Sequence, residues 1–309
     1  MGNKVVVGMI GSGFAAKFHV KNLKRVYGVD VVFKSVCSNN NDLENFAKES
    51  GFESWTNDYT NLLQDPEINV IDIVTPPSLH AEMIIASFEA GKHVITEKPL
   101  TGYFGEKTDG KTMYDETIAE IERIKTASNK SGKYLMYAEN WVYSPGVIKS
   151  AELLNAQKGK ILYIHAEESH NGSHVHHANN WKFNGGGALI RQGCHPIAAV
   201  LYLKMLETKI RGENFGIKSV SCDVGFVAEC LKDTEKAHID SRPVDVEDIA
   251  NLIITFSDNT KAHIVSADML IGGMKNCVEV YLNNGVHRYN MNPNDAFTAG
   301  HARQRLSVL

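Results

Sequence analysis

Few cysteines, few prolines, no basic excess and no long apolar run mark this sequence, and each shortage excludes something. The five cysteines (Cys37, Cys194, Cys222, Cys230 and Cys277) are odd in number, widely spaced and without a Cys-x-x-Cys pair. That argues against a disulfide framework or a cysteine zinc site and for a reducing compartment. The formal charge is −4, from 32 basic and 36 acidic residues, so no nucleic-acid or anionic-membrane partner is expected. No apolar stretch approaches the roughly 18 residues of a membrane-spanning helix. The opening six residues lack the hydroxyl group that myristoylation prefers, and Gly8, Gly11 and Gly13 interrupt any leader-like run. The expectation is a cytoplasmic chain. Proline is scarce (8) and glycine plentiful (25), which suits an α/β fold rich in tight turns. With 309 residues, 43% hydrophobic and 22% charged, the chain matches soluble globular averages and is long enough for about two domains.

The texture divides near residue 138. Before it, β-branched runs at 4–10, 29–37, 69–74, 93–96 and 133–138 alternate with helical stretches at 15–26, 42–50, 77–90 and 113–129. Alternation of that kind predicts parallel βαβ units, and continuous hydrophobicity in the runs predicts a sheet covered on both faces. After a helix at 145–156, longer strand-like runs follow at 161–168, 217–228, 250–256, 261–268 and 278–282. The pair 250–256 and 261–268 flanks Ser257-Asp258-Asn259-Thr260, a hairpin composition. The predicted class is therefore α/β: a doubly wound parallel sheet over 1–138, then an α+β domain over 139–309 with a large, mostly antiparallel sheet. The glycine-punctuated segment 101–111 reads as a loop long enough to form a lid.

Gly11-Ser12-Gly13-Phe14-Ala15-Ala16 follows the first strand and opens the first helix. Small residues at this G-x-G-x-x-A spacing permit a tight turn, close backbone approach to a pyrophosphate, and helix–strand packing. The helix N-terminus adds free N–H groups and partial positive charge. Gly11, Gly13, Phe14 and Ala15 are the expected phosphate cradle. The second run ends Cys37-Ser38-Asn39-Asn40 with no carboxylate before Asp42. Ser38 and Asn39 are thus expected at the ribose, where an acidic residue would select NAD; their absence of charge leans toward NADP. Capping of the next helix by Asn39 or Asn40 is an equally good reading.

Two further blocks end the later strand runs, Thr75-Pro76-Pro77-Ser78-Leu79-His80 and Thr96-Glu97-Lys98-Pro99-Leu100. A third stretch, Trp181 through His195, contains Gly185-Gly186-Gly187-Ala188-Leu189-Ile190-Arg191-Gln192-Gly193-Cys194-His195. With Tyr143-Ser144-Pro145, these motifs resemble the Gfo/Idh/MocA oxidoreductases, over about residues 4 to 294. The resemblance implies a Rossmann domain and a nicotinamide cofactor, NADP or NAD. It places Lys98 between nicotinamide and substrate and makes His195 a proton-transfer residue. It also implies that Glu97 and Pro99 shape the turn presenting Lys98, with the bond before Pro99 cis, and that Thr75, Pro76 and His80 lie along the cofactor. The residues support this chemistry independently, because oxidising a secondary alcohol requires removal of the hydroxyl proton, and a histidine can accept it near neutral pH.

This sequence departs from the pattern at Arg191, where the family signature has Asp. If the segment is one helix, residues four apart share a face, and Arg191 would stand near His195 and favour its neutral form. Pro196 could kink that helix and separate them. A guanidinium fork also suits an acidic substrate, which raises sugar acids beside sugars and polyols; a purely structural arginine is the plainer alternative. The run His170 to His177 holds four histidines, of which His174 and His176, with Tyr143 and Trp181, are expected at the substrate; a plain loop for the histidines and a core position for Trp181 are equally good readings. No metal site is expected. The expected activity is hydride transfer between nicotinamide and a secondary hydroxyl or carbonyl. The alternatives are a silent cofactor-binding regulator and an NAD-assisted lyase or glycosidase. Apolar residues on both faces of 252–256 and 262–267 suggest a homodimer or homotetramer through the second-domain sheet. The stretch 295–309 has no clear amphipathic period and leaves a truncated or frame-shifted terminus as a further expectation.

Overall fold

A computed structural model describes residues 3–172, 176–236, 239–271, 274–291, 298–301 and 307–308, with side chains for 4–172, 178–236, 239–271 and 274–291. Two compact units divide the chain, Met1–Ala138 and Glu139–Leu309. No helix among the described residues is long and apolar enough to cross a membrane.

The first unit runs β1 (Asn3–Ile10), α1 (Phe14–Leu23), β2 (Val29–Cys37), α2 (Leu43–Ser50), β3 (Ser54–Thr56), α3 (Thr60–Gln64), β4 (Val70–Ile73), α4 (His80–Glu89), β5 (His93–Thr96), α5 (Gly110–Ser131) and β6 (Leu135–Tyr137). The strands form one parallel sheet in the order β3-β2-β1-β4-β5-β6. Alternating residues of β1 serve opposite layers. Val6 and Ile10 pack with Ile84 and Phe88 of α4 and Ile124 of α5, whereas Met9 packs with Ala16, Val20, Leu43 and Phe46 of α1 and α2. Double coverage explains why the strands read as continuous apolar runs. The short β3 escapes such a reading, because three residues, two of them exposed, leave no hydrophobic run. The segment 101–111 is also shorter as a loop than expected: Asp109 accepts from the Thr112 N–H at 3.0 Å and starts α5 at Gly110.

The second unit comprises α6 (Pro145–Gln157), β7 (Ile161–Ser169), α7 (Trp181–Asn184), α8 (Ala188–Arg191), α9 (Cys194–Arg211), β8 (Ile217–Gly225), β9 (Ile249–Phe256), β10 (Lys261–Ala267), β11 (Lys275–Leu282), β12 (Gly285–Asn290), β13 (Thr298–His301) and β14 (Ser307–Val308). Its eight-stranded sheet has the order β14-β13-β12-β11-β7-β10-β9-β8. All neighbours are antiparallel except β7 and β10. Asn259 adopts φ 65° in the expected β9–β10 turn, the left-handed conformation that asparagine tolerates. One sheet face carries Ile164, Ala166, Leu252, Ile254, Phe256, Ile264, Val278 and Val280 against Val147 and Leu154 of α6 and Ala199, Val200 and Leu203 of α9. Each large aliphatic or aromatic group of that set contributes about 1.5–3 kcal/mol by leaving water.

Candidate functional site

In the first unit, strand order reverses between β1 and β4, and the Val74 N–H bonds to the Ile10 carbonyl at 2.9 Å where the two strands end. Doubly wound sheets bind ligands beyond such a switch point. Gly11 turns the chain there with φ 114°, and its N–H donates to the Cys37 carbonyl at 2.8 Å. A Cβ at Gly11 would lie 2.6 Å from the Val74 carbonyl oxygen, so the backbones meet where only glycine fits. Gly13 differs. It is the N-cap of α1, no side chain caps the helix, and a Cβ there would meet nothing within 4 Å. Among the described residues no side chain accepts from the first N–H groups of α1, a donor set that fits a pyrophosphate. Ala15 is half-buried and Phe14 is 72% exposed.

At the end of β2, Ser38 Oγ accepts from the Asn40 N–H at 3.1 Å, and Asn40 Oδ1 accepts from the Asp42 N–H at 3.1 Å. Asn39 is exposed. The Asn57 amide donates to the Ser38 carbonyl at 2.6 Å, and burial together with the nearby Asp58 carboxylate pushes the Cys37 thiol up to about 11. Thr56 pairs with Cys37 in the sheet, so Asp58, two residues further on, puts an acidic group near this strand end.

Beyond β5 the Lys98–Pro99 bond is cis. Glu97 Oε2 accepts from the Lys98 N–H at 2.8 Å, and Lys98 is half-buried, as are Thr75 and Pro76. The resemblance placed His80 near the cofactor; the structure shows where its ring is held. It is fully buried, with Nδ1 2.8 Å from the Pro99 carbonyl and Nε2 2.9 Å from the Thr75 carbonyl. Burial pulls its pKa down, and the ring ties together the two strand ends that carry the Thr-Pro and Glu-Lys-Pro motifs.

A cluster that the sequence reading missed lies beside Glu97. His19 of α1 places Nδ1 2.9 and 3.0 Å from the two Asp72 oxygens and Nε2 3.1 Å from Glu97 Oε1. Burial opposes protonation of the ring, but the bonds and charges of the two carboxylates raise it to about 10. Asp72 was the available signal: a carboxylate in the otherwise apolar and fully buried β4 demands a partner.

In the second unit, His195 is buried in the first turn of α9. Its Nδ1 is 2.7 Å from Glu139 Oε1, and Trp141 stacks on its ring at 6.0 Å and 13°. Since a carboxylate only accepts, the Nδ1 proton faces Glu139 and the lone pair of the neutral ring sits on Nε2. Glu139 also accepts from the Trp141 N–H at 3.1 Å. The sequence reading missed Glu139, which stands two residues after β6 in the chain. Glu139, Cys194 and His195 each place one donor atom within 4.8 Å of the others, a spacing open to a metal ion, but the Glu139–His195 hydrogen bond already joins two of the three.

The glycine run has its own explanation. Glu247 accepts from the N–H groups of Gly187 at 2.9 Å and Leu189 at 3.0 Å, and a Cβ at Gly187 would fall 1.8 Å from the Glu247 carbonyl oxygen. Arg191 corrects an expectation. The helix breaks at Gln192 and Gly193 between α8 and α9, so Arg191 and His195 do not share one helical face. Arg191 instead sits 2.6 Å from Asp268 Oδ2, and Gln192 bonds the other Asp268 oxygen. Its charge is neutralised inside the protein. Gln192 also lies 2.7 Å from His170 Nε2. Tyr143 is 72% exposed, and Trp181 begins α7 with its N–H on Asp245 at 2.7 Å. His174 and the His176 side chain lie outside the described residues.

The fold and the open glycine turn define a dinucleotide-binding α/β protein carrying a second, sheet-built unit. The chain belongs to the Gfo/Idh/MocA family: residues 5–139 match its model "Oxidoreductase family, NAD-binding Rossmann fold", and 151–288 match its C-terminal domain. It is 41% identical over 120 residues to levoglucosan dehydrogenase of Pseudarthrobacter phenanthrenivorans, covering 35% of this chain and 29% of that protein. It is 39% identical over 129 residues to scyllo-inositol 2-dehydrogenase (NAD(+)) of Bacillus subtilis, covering 40% and 34%. Those matches thus span about a third of each relative's length. Levoglucosan dehydrogenase in complex with NADH and L-sorbose superposes with TM-score 0.79 at 24% identity, over 99% of this chain and 79% of that one. At that identity the likeness speaks for the fold.

Proposed function

We propose that this chain is a nicotinamide-dependent dehydrogenase that oxidises a secondary hydroxyl of a neutral sugar or polyol. The observation carrying this reading is the buried Glu139–His195 pair, 2.7 Å apart under Trp141. Glu139 holds the ring in the tautomer whose Nε2 accepts the hydroxyl proton, and Lys98 polarises the hydroxyl oxygen. The backbone of Gly11, Gly13, Phe14 and Ala15 holds the pyrophosphate, with Ser38 and Asn39 at the ribose and Thr75 and Pro76 along the dinucleotide. When bound, the nicotinamide supplies the hydride acceptor, and the alcohol leaves as a ketone.

Two refinements differ from the sequence expectations. The Arg191 charge is taken up by Asp268, which removes the reason to favour an acidic substrate and agrees with relatives named for levoglucosan and scyllo-inositol. The Asp58 charge near the end of β2 repels a 2′-phosphate, so the cofactor is NAD rather than NADP. Turnover followed by reduced-nicotinamide absorbance, with NAD and NADP against a panel of sugars, polyols and sugar acids, tests all three points. Tight NADH binding with no turnover on any substrate would transfer the chain to the cofactor-binding regulators instead. Self-association is proposed through the sheet face opposite the helices, where Ile253 is 43% exposed beside the Tyr163–Tyr281 and His165–His263 ring pairs. A monomer in light scattering would sink that part.

A further inference from the structure

Three elements of the first unit meet in the Asp72–His19–Glu97 cluster, and the chain of bonds ends on Lys98. Asp72 of β4 is fully buried and grips His19 Nδ1 with both oxygens. His19 of α1 reaches Glu97 Oε1 with Nε2. Glu97, immediately after β5, uses its other oxygen to hold the Lys98 N–H at 2.8 Å. One imidazole thus fixes which way the Glu97 carboxylate points, and that carboxylate fixes the peptide from which Lys98 projects.

Stability alone is a poor reason for such an arrangement. Buried ionic triads are commonly replaced by apolar side chains at little cost or with a gain, and β4 is otherwise entirely apolar. The neutral alternative, a ring with one bare nitrogen, would leave a lone pair facing a carboxylate. The imidazolium satisfies both sides with two N–H donors, in accord with the upward shift of His19 and the downward shift of Glu97, in which the bonds from His19 and the Lys98 N–H outweigh burial. The side chain of His19 is 15% exposed, so the space it occupies is open to a small solute.

We infer that His19, supported by Asp72, is a positioning residue for the reaction: through Glu97 it sets the backbone of Lys98. The inference rests on the dehydrogenase reading for the role of Lys98, but the geometry it asserts is measurable without turnover. His19 also lies on the helix whose N-terminus forms the phosphate cradle, so the cradle and the Lys98 turn share one rigid element.

The test uses His19→Ala and the milder Asp72→Asn. Amide hydrogen exchange in the full chain is expected to accelerate at Lys98 by about tenfold in His19→Ala, and by less in Asp72→Asn, while the β5 amides stay within about twofold. In the dehydrogenase assay, kcat is expected to fall by about tenfold or more, with KM for the sugar and the Kd for NADH within about threefold. Added imidazole is expected to restore part of the kcat of His19→Ala. Unchanged Lys98 exchange in both variants would overturn the inference. So would a kcat loss that imidazole does not relieve and that tracks weakened NADH binding, because that pattern describes a folding role alone. A wild-type protein inactive on every substrate would sink the dehydrogenase reading, and Lys98 exchange would still decide the positioning.

Discussion

Gly11 and Gly13 stand two residues apart in one turn, and the structure predicts that alanine fails at them for opposite reasons. At Gly11 a side chain would have to adopt φ 114°, a strain of about 1–2 kcal/mol. Its Cβ would lie 2.6 Å from the Val74 carbonyl oxygen, a backbone atom fixed in the sheet, and such overpacking costs about 1–3 kcal/mol more. Gly11→Ala should therefore destabilise the protein by about 2–5 kcal/mol, lowering Tm by about 6–15 °C at about 3 °C per kcal/mol. At Gly13, φ is −82° and a Cβ meets nothing within 4 Å, leaving only a cap preference of about 0.5–1 kcal/mol. Gly13→Ala should melt within about 3 °C of the wild type. Yet its methyl group occupies the space in front of the uncapped α1 N–H groups, and NADH affinity should fall by about tenfold or more. Circular dichroism melts and fluorescence titration with NADH read the two quantities separately. A Gly11→Ala protein with unchanged Tm, or a Gly13→Ala protein with unchanged NADH affinity, would refute the account of the turn.

Perturbations at four other positions probe the second unit. Glu139→Gln should cut kcat by about 10²-fold and His195→Asn by about 10²–10⁴-fold, both with NADH affinity retained, as steady-state kinetics and titration would show; full activity in either would remove the proton-transfer role. Arg191→Ala leaves the buried Asp268 carboxylate without its guanidinium and should cost about 3 kcal/mol in urea unfolding, most of it recovered in Arg191→Met with Asp268→Leu. An Arg191→Ala protein of wild-type stability would show that the pair is solvent-screened. His287 is buried against Ser150 at 2.9 Å, and burial pushes its pKa down to about 4 from 6.5. The unfolded chain then binds a proton that the folded one refuses. Stability should be full above about pH 6.5 and decline by about 3 kcal/mol as pH falls toward 4. His287→Gln should flatten that acid limb in denaturant titrations at several pH values, and an unchanged limb would assign it to other groups.

Much of this protein was legible in the amino-acid order because the relevant forces are local or periodic. Parallel strands buried on both faces must be continuously apolar, so the first sheet could be read strand by strand, except for the three-residue β3. A left-handed turn beside a neighbouring backbone needs glycine, so Gly11 announced itself. Lys98 and His195 were reached through motif resemblance, and Glu97 with them. The partners of these groups were not legible, because hydrogen bonds between residues separated by tens of positions leave no periodic trace. Glu139 meets His195 across 56 residues, His19 meets Asp72 across 53, and Arg191 meets Asp268 across 77. Sequence spacing put Arg191 on the face of His195 if the segment is one helix, and a break at two residues places them on separate helices. The sequence by itself determined the class of fold and the residue types able to do the chemistry. Only the tertiary structure decided which charges are already spent on one another, because pairing depends on distance through space and not along the chain.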